Sequence, residues 1–190
     1  MKFDYPEIGI CGLSCKLCPT YNTQAKSKCD GCKSEYRMGA GCPFITCAVK
    51  KKGIEFCWLC EASDTCEKWQ EHRQAGRDHD SFKCYQTLER DIDFIKKNGI
   101  EAFNRDQEIR AGLLTNLLND FNEGRSKSYY CIVVTVLKIE EIKKGISLAN
   151  DLIEKKGTTN IKEKSKILHS IFDNIGKKNE YSFKLRSDRK

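Results

Sequence analysis

The chain has no long apolar run. Its longest, Cys131 to Leu137, falls far short of the ~20 residues that span a bilayer. No apolar stretch of the kind that heads a secretory signal occurs between Met1 and Pro19. The chain is therefore expected to be soluble and cytoplasmic. Aromatic residues are few, at 9 % of 190 residues, and hydrophobic residues make up 39 %, enough for a modest core in one or two compact units. No aromatic-studded RNA-binding motif and no recognition-helix signature stands out. No general acid/base pair is evident either, which leans against an enzyme.

What the sequence does hold is cysteine. Of its 12 cysteines, ten lie between Cys11 and Cys66, followed by Cys84 and Cys131 alone. In a reducing cytosol, thiols so dense are metal ligands more often than structural disulfides. Three C-x-x-C turns occur, Cys15/Cys18, Cys29/Cys32 and Cys57/Cys60, and each can point two sulfurs at one ion. Around them stand Cys11, Cys42, Cys47 and Cys66. A tetrahedral zinc site takes four such ligands, so ten thiols predict two zinc ions with two thiols over. One simple partition joins Cys15, Cys18, Cys29 and Cys32, then Cys42, Cys47, Cys57 and Cys60, leaving Cys11 and Cys66. An interleaved arrangement satisfies the spacing equally. Residues 11–66 are too poor in apolar periods to bury a standard core. Structural zinc contributes on the order of 10 kcal/mol or more to modules of this kind.

Other chemistry is weighed against this. Cys11-x3-Cys15-x2-Cys18 has the cysteine spacing of the radical S-adenosylmethionine motif, but the strands of the large barrel that motif requires are not visible, and Leu17 stands where an aromatic is usual. A plain iron–sulfur cluster, which thiolates also hold, is the alternative cofactor. His72 and His79 read as surface histidines of a polar helix, although Cys66-x5-His72 is a possible mixed pair. Lys50-Lys51-Lys52 reads as a solvated turn, Trp58 as the cap of a small core beside the metal, and Cys84 as an idle buried thiol.

From about residue 86 the periodicity becomes helical. Leu88, Ile92 and Ile95 share one face. So do Ile109, Leu113, Leu117 and Phe121, widened by Leu114 and Leu118. Ile139, Ile142, Ile146, Ala149 and Ile153 form another stripe, and Leu168, Ile171, Phe172 and Ile175 a last one. Asn160 with Glu163 three residues on is a capping-box pattern. Gly99, Gly124 and Gly157 separate the segments. These stripes predict a small antiparallel helical bundle. The β-branched run Ile132 to Val136 also fits a short strand. The turn Gly124 to Ser128 reads either as a plain helix–helix connection ahead of a buried Cys131, or as Arg125, Ser126 and Lys127 at a helix N-terminus, a natural anion site.

The fold class is thus mainly α. An irregular cysteine-rich zinc-knuckle module (1–85) precedes a helical domain (86–176) and a flexible basic tail (177–190). Charge is uneven: 13 Lys+Arg against 11 Asp+Glu in residues 1–85, and 21 against 16 beyond. Two four-thiolate zinc sites would take the first part to about −2, leaving a polarised molecule with a basic second half.

The stretches CGLSCKLCP (11–19), CDGC (29–32) and CPFITCAVKKKGIEFCWLCEASDTCEKW (42–69) resemble the uncharacterised cysteine-rich family designated domain of unknown function 3795. NEGRSKSYYC (122–131) resembles a block that follows the cysteines in some members, so the likeness covers most of residues 8–137. It implies zinc on Cys11, Cys15, Cys18, Cys29, Cys32, Cys42, Cys47, Cys57, Cys60 and Cys66, and no known reaction. The chain departs from the pattern at Gly39, where many members carry a further cysteine. Residues and resemblance together lead to a structural zinc protein that serves as a macromolecular interaction module, for protein or nucleic acid. The alternatives are an iron–sulfur or thiol redox protein, and an RNA-, DNA- or ribosome-associated basic protein.

Overall fold

A computed structural model describes residues 2–39, 42–80 and 83–187. Its helices are α1 (Glu35–Gly39), α2 (Glu67–Asp78), α3 (Leu88–Asn98), α4 (Ile100–Asp120), α5 (Lys127–Val136), α6 (Ile139–Lys156) and α7 (Ile161–Lys178). The first half adds two 3-10 turns, Cys15–Leu17 and Cys57–Leu59, and a π-helical segment, Ile45–Lys51. Among the described residues there is no strand, only an isolated antiparallel bridge between Ile8 and Ser14. The chain is mainly α, an irregular cysteine-rich part followed by packed helices. No helix among the described residues is long and apolar enough to cross a membrane.

The glycine breaks fall where the spacing predicts them. Gly99 turns α3 into α4, and Gly157 ends α6 in the left-handed region. The Asn160 side chain accepts from the Lys162 N–H at 2.9 Å to start α7. Glu163, however, takes the Thr158 hydroxyl instead of the Asn160 N–H, so the capping box is only half made.

The β-branched run 132–136 is helix. α5 packs against α4 and α6, and Tyr130, Cys131, Val133, Val134 and Val136 are all buried. With no neighbouring strand to take its peptide groups, an enclosed segment must bond internally. The buried face of α4 is also turned from the expected one. Ile109 is 49 % exposed, while Phe103, Gln107, Arg110, Leu114 and Leu117 face inward. Arg110 decides the rotation. Its guanidinium donates to the carbonyls of Val134 and Leu137, both at 2.7 Å, and to Asp106 at 2.6 Å. It thereby satisfies carbonyls that the end of α5 would otherwise bury unpaired.

The cysteine-rich part leans on the bundle. Leu17, in the first 3-10 turn, joins the core of α4–α7. Ile8, Phe56 and Trp58 cluster with Ile95 and Phe103, and Leu13 and Trp69 with Leu88 and Ile92. Trp58 stacks on Phe56 at 4.2 Å. Gly12, at φ +96°, lies against Trp58, Ile92 and Leu88, so this loop needs glycine both for its turn and for its seat.

The segment after α7, read from sequence as the start of a flexible tail, is docked as far as it is described; residues 188–190 lie outside the described residues. Phe183 is buried in the bundle core. The Arg186 side chain donates to the enclosed Asp80 carboxylate at 3.1 Å and to the carbonyls of Gly76 and Arg77 at 2.9 and 2.7 Å. It caps the C-terminal end of α2. The apolar residues and the arginine interspersed among the lysines are what a reading by net charge passes over.

Two tests follow from this packing. A Cβ at Gly145 on α6 would stand 2.5 Å from the Phe172 ring of α7, itself wholly buried. Gly145→Ala should lower the urea midpoint, because overpacking costs about 1–3 kcal/mol against the roughly 1 kcal/mol that alanine gains in a helix. A raised midpoint would show that the ring steps aside freely. Arg186→Ala leaves the Asp80 carboxylate buried without its cation, a loss of at most about 3–5 kcal/mol. Burial alone would raise the Asp80 pKa, but Arg186 and the backbone N–H groups of Tyr85 and Arg186 outweigh it and hold it below the ordinary value. The stabilisation is then complete above the unfolded-state pKa and is lost as pH falls through the lower folded one. Denaturant melts across pH should show wild type and Arg186→Ala furthest apart near neutrality and converging in acid.

Candidate metal centre

Tight turns present the thiols. In both 3-10 turns the N–H of the last cysteine donates to the carbonyl of the first: Cys18 to Cys15 at 3.0 Å, Cys60 to Cys57 at 3.1 Å. Cys11 rides a loop closed by the Gly9 N–H on the Leu13 carbonyl at 2.8 Å. The Cys57 N–H donates to the Ile10 carbonyl at 3.1 Å, which ties the second turn to that loop. Gly31, at φ +100°, bends the Cys29–Cys32 segment until a Cβ there would lie 3.7 Å from the Cys15 sulfur.

The result is two gatherings of thiols. In the first, Cys15 hydrogen-bonds Cys32, and Cys11 and Cys32 flank Gly9. Cys11, Cys29, Cys32 and Cys42 line one cleft of about 350 Å³ together with Phe44, His72 and Tyr85. In the second, Cys57 feels the charge of Cys11 most, across the boundary, and then those of Cys66, Cys47 and Cys60. Cys47 comes from the π-helical segment, Cys57 and Cys60 from the second 3-10 turn and its end, and Cys66 stands at the residue just before α2. This grouping is interleaved and differs from the simple sequential partition: Cys11 and Cys66, the spares there, sit inside the two groups. Cys18 is drawn the other way. It lines a small cavity of about 30 Å³ with Cys84 and Cys131, and its sulfur is 3.0 Å from the Thr20 hydroxyl. Cys84 and Cys131 are buried thiols, each pushed up to about 12 by that burial.

Each group has its own lysine, which the cysteine spacing could not reveal. Lys83 is only 6 % exposed, with its Nζ 3.2 Å from the Cys32 sulfur. Burial would lower its pKa, but the charges of Cys15, Cys32, Cys11 and Cys18 raise it instead. Lys52, from the run read as a solvated turn, donates to the Cys60 sulfur at 2.9 Å and lowers that thiol's pKa. The two groups differ in environment. The Cys15–Cys32 pair shares one proton: Cys32 is held below the usual thiol range by the Cys15 S–H and by Lys83, while Cys15 is raised by the same bond and by burial. Burial also raises Cys11, and it pushes Cys57 up to about 12. Arg37 stands by Cys29, whose hydrogen bond raises the guanidinium pKa.

His72 lies on α2 with its ring among Phe44, Trp69 and Tyr85, at 4.8, 5.9 and 5.5 Å between centroids. It is half-buried in an aromatic nest, not spread on a polar surface, and burial lowers its pKa. As they stand, no three His, Cys, Asp or Glu side chains among the described residues converge closely enough to hold an ion. The thiols are gathered without being closed. Their chemistry suits a borderline-soft ion such as zinc, or an iron–sulfur cluster.

Residues 7–71 match the model of a family described as "Protein of unknown function (DUF3795)". The cysteine-rich part of the chain is therefore similar to that family. All ten cysteines from Cys11 to Cys66 fall inside the match, while the 122–131 stretch lies outside it. No curated protein and no solved structure matches the chain.

If the two lysines tune their groups as placed, metal-free reduced protein should show it in the pH titration of ultraviolet thiolate absorbance. Lys83→Met removes a buried cation and should move the most acidic phase toward higher pH. Lys52→Met, at the surface, should move its own phase less, because water already screens that pair. An unchanged titration in Lys83→Met would contradict the assignment.

Proposed function

We propose that this is a zinc-binding protein whose metal is structural. Ions at the two thiol groups hold the N-terminal turns together, and the folded chain serves as an interaction module for a macromolecular partner. The second group carries the reading: Cys47, Cys57, Cys60 and Cys66 are four thiols in one neighbourhood, the number and type that a closed zinc site takes. Zinc bound there would supply folding free energy and no reaction. Among the described residues the apolar cluster that this part keeps to itself is small, Ile10, Ile45, Ala48 and Val49 with partly buried neighbours such as Phe3 and Ile54, which supports a stabilising role for the metal. At the first group, Cys11, Cys15, Cys29, Cys32 and Cys42 are the candidate thiolates, beside Lys83.

A groove of about 760 Å³ along α7 supports an anionic partner. Arg125, Lys162, Lys166 and Lys177 line it against two carboxylates, Glu123 and Asp173, and none of the four cations makes an ion pair among the described residues. Its inner wall is a polar network in which Ser126 and Ser165 donate to Glu123. This favours the nucleic-acid form of the interaction reading, with affinity that falls steeply with salt. The open cleft of the first group is the feature that favours the second reading, an iron–sulfur or thiol redox centre.

Anaerobic purification followed by elemental analysis separates the readings. Two zinc ions per chain in a colourless protein are expected. A brown protein with charge-transfer absorption would replace zinc by an iron–sulfur cluster, and a single ion bearing a water ligand would overturn the structural role.

A further inference from the structure

We infer that His72 is a nitrogen ligand of the first metal centre, which makes that centre a mixed thiolate–imidazole site for a zinc-class ion. The inference rests on the metal-binding reading above and goes beyond it, since neither the family match, which stops at residue 71, nor the ten-cysteine expectation includes a histidine.

The starting point is an orphaned atom. The His72 Nε2 is buried and has no hydrogen-bond partner among the described residues. Buried polar atoms are almost always satisfied, and an exception calls for a specific cause, an absent ion among them. Two other side-chain atoms share this condition, Ser14 Oγ and His169 Nε2. His72 is set apart by its company: it lines the same cleft as Cys11, Cys29, Cys32 and Cys42.

Its ring is also held in place. Trp69 lies one helical turn before it on α2 and stacks nearly parallel, at 19°, while Tyr85 meets it edge-on at 76° and Phe44 leans on it at 57°. Three aromatic neighbours fix an imidazole whose Nε2 has no hydrogen-bond partner among the described residues, which is costly order unless the ring has a task. Tyr85 follows shortly after Lys83 in the chain, so the segment that brings the buried cation also braces the imidazole.

Charge favours the mixed set. Zinc with four thiolates carries two net negative charges; with three thiolates and one neutral imidazole it carries one. The buried ammonium of Lys83 then balances the centre, with Arg37, also on this cleft beside Cys29, left exposed to solvent; buried charge is tolerated when paired. The second group keeps all-sulfur ligation at a more exposed place, where Lys52 and solvent share the compensation.

The test uses the full reduced chain loaded with zinc and read by X-ray absorption at the zinc edge. A nitrogen shell at about 2.0 Å beside sulfur at about 2.3 Å is expected. His72→Ala should lose the nitrogen shell and retain the sulfur of the second group, and His72→Cys should recover the lost ion with sulfur alone. Helical circular dichroism checks that each variant is folded. A sulfur-only shell in the zinc-loaded wild type, or a nitrogen shell that survives in folded His72→Ala, would overturn the assignment of His72 and leave the zinc reading in place. A wild-type chain that takes up no zinc would overturn both.

Discussion

One ammonium group organises the first half of the molecule. Lys83 places its charge in the interior, 3.2 Å from the Cys32 sulfur and within the field of Cys11, Cys15 and Cys18. An isolated charge there would cost several kcal/mol, so this lysine and the Cys32 thiolate stabilise each other's charged forms. Those thiols come from two separate stretches of chain, and the lysine stands just before α3. Compensation at this point therefore joins the loops to one another and the whole cysteine-rich part to the helices.

The helices repeat the same economy with other groups. Arg110 crosses from α4 to the carbonyls at the end of α5, and Arg186 returns from beyond α7 to Asp80 and the end of α2. Each is a cation placed where helix carbonyls would be left unpaired, the end of the helix that also favours positive charge. A chain with many lysines and arginines thus spends a few of them inside. Others line the α7 groove, where Arg125, Lys162, Lys166 and Lys177 make no ion pair among the described residues although Glu123 and Asp173 share the lining. The thiol groups and the basic surface lie in different parts of the chain, the arrangement that the proposed division between structural thiols and a partner-binding helical surface requires.

Much of this was legible from local pattern. Glycines at 99, 124 and 157 mark real breaks, the stripes of α3, α6 and α7 face inward, and the C-x-x-C pairs at 15 and 57 form the tight turns their spacing implies. Where the structure departs from local reading, a distant contact decides. Ile109 belongs to a regular stripe, yet it faces out because its neighbour Arg110 has two buried carbonyls to satisfy. Residues 132–136 have strand-like composition, yet among the described residues no second strand pairs with them. The segment 179–187 reads as a charged tail, yet Phe183 and Arg186 both have places to dock.

The sequence by itself determined the fold class, the helix boundaries at the glycines and the ten thiols that set the chemistry, because each depends on residues within a few positions of one another. Only the tertiary structure decided which thiols share a neighbourhood, that Lys83 and Lys52 attend them, and that His72 faces the cleft rather than the solvent. Those relations join residues tens of positions apart, and spacing along the chain carries no record of which sulfur a buried charge will meet.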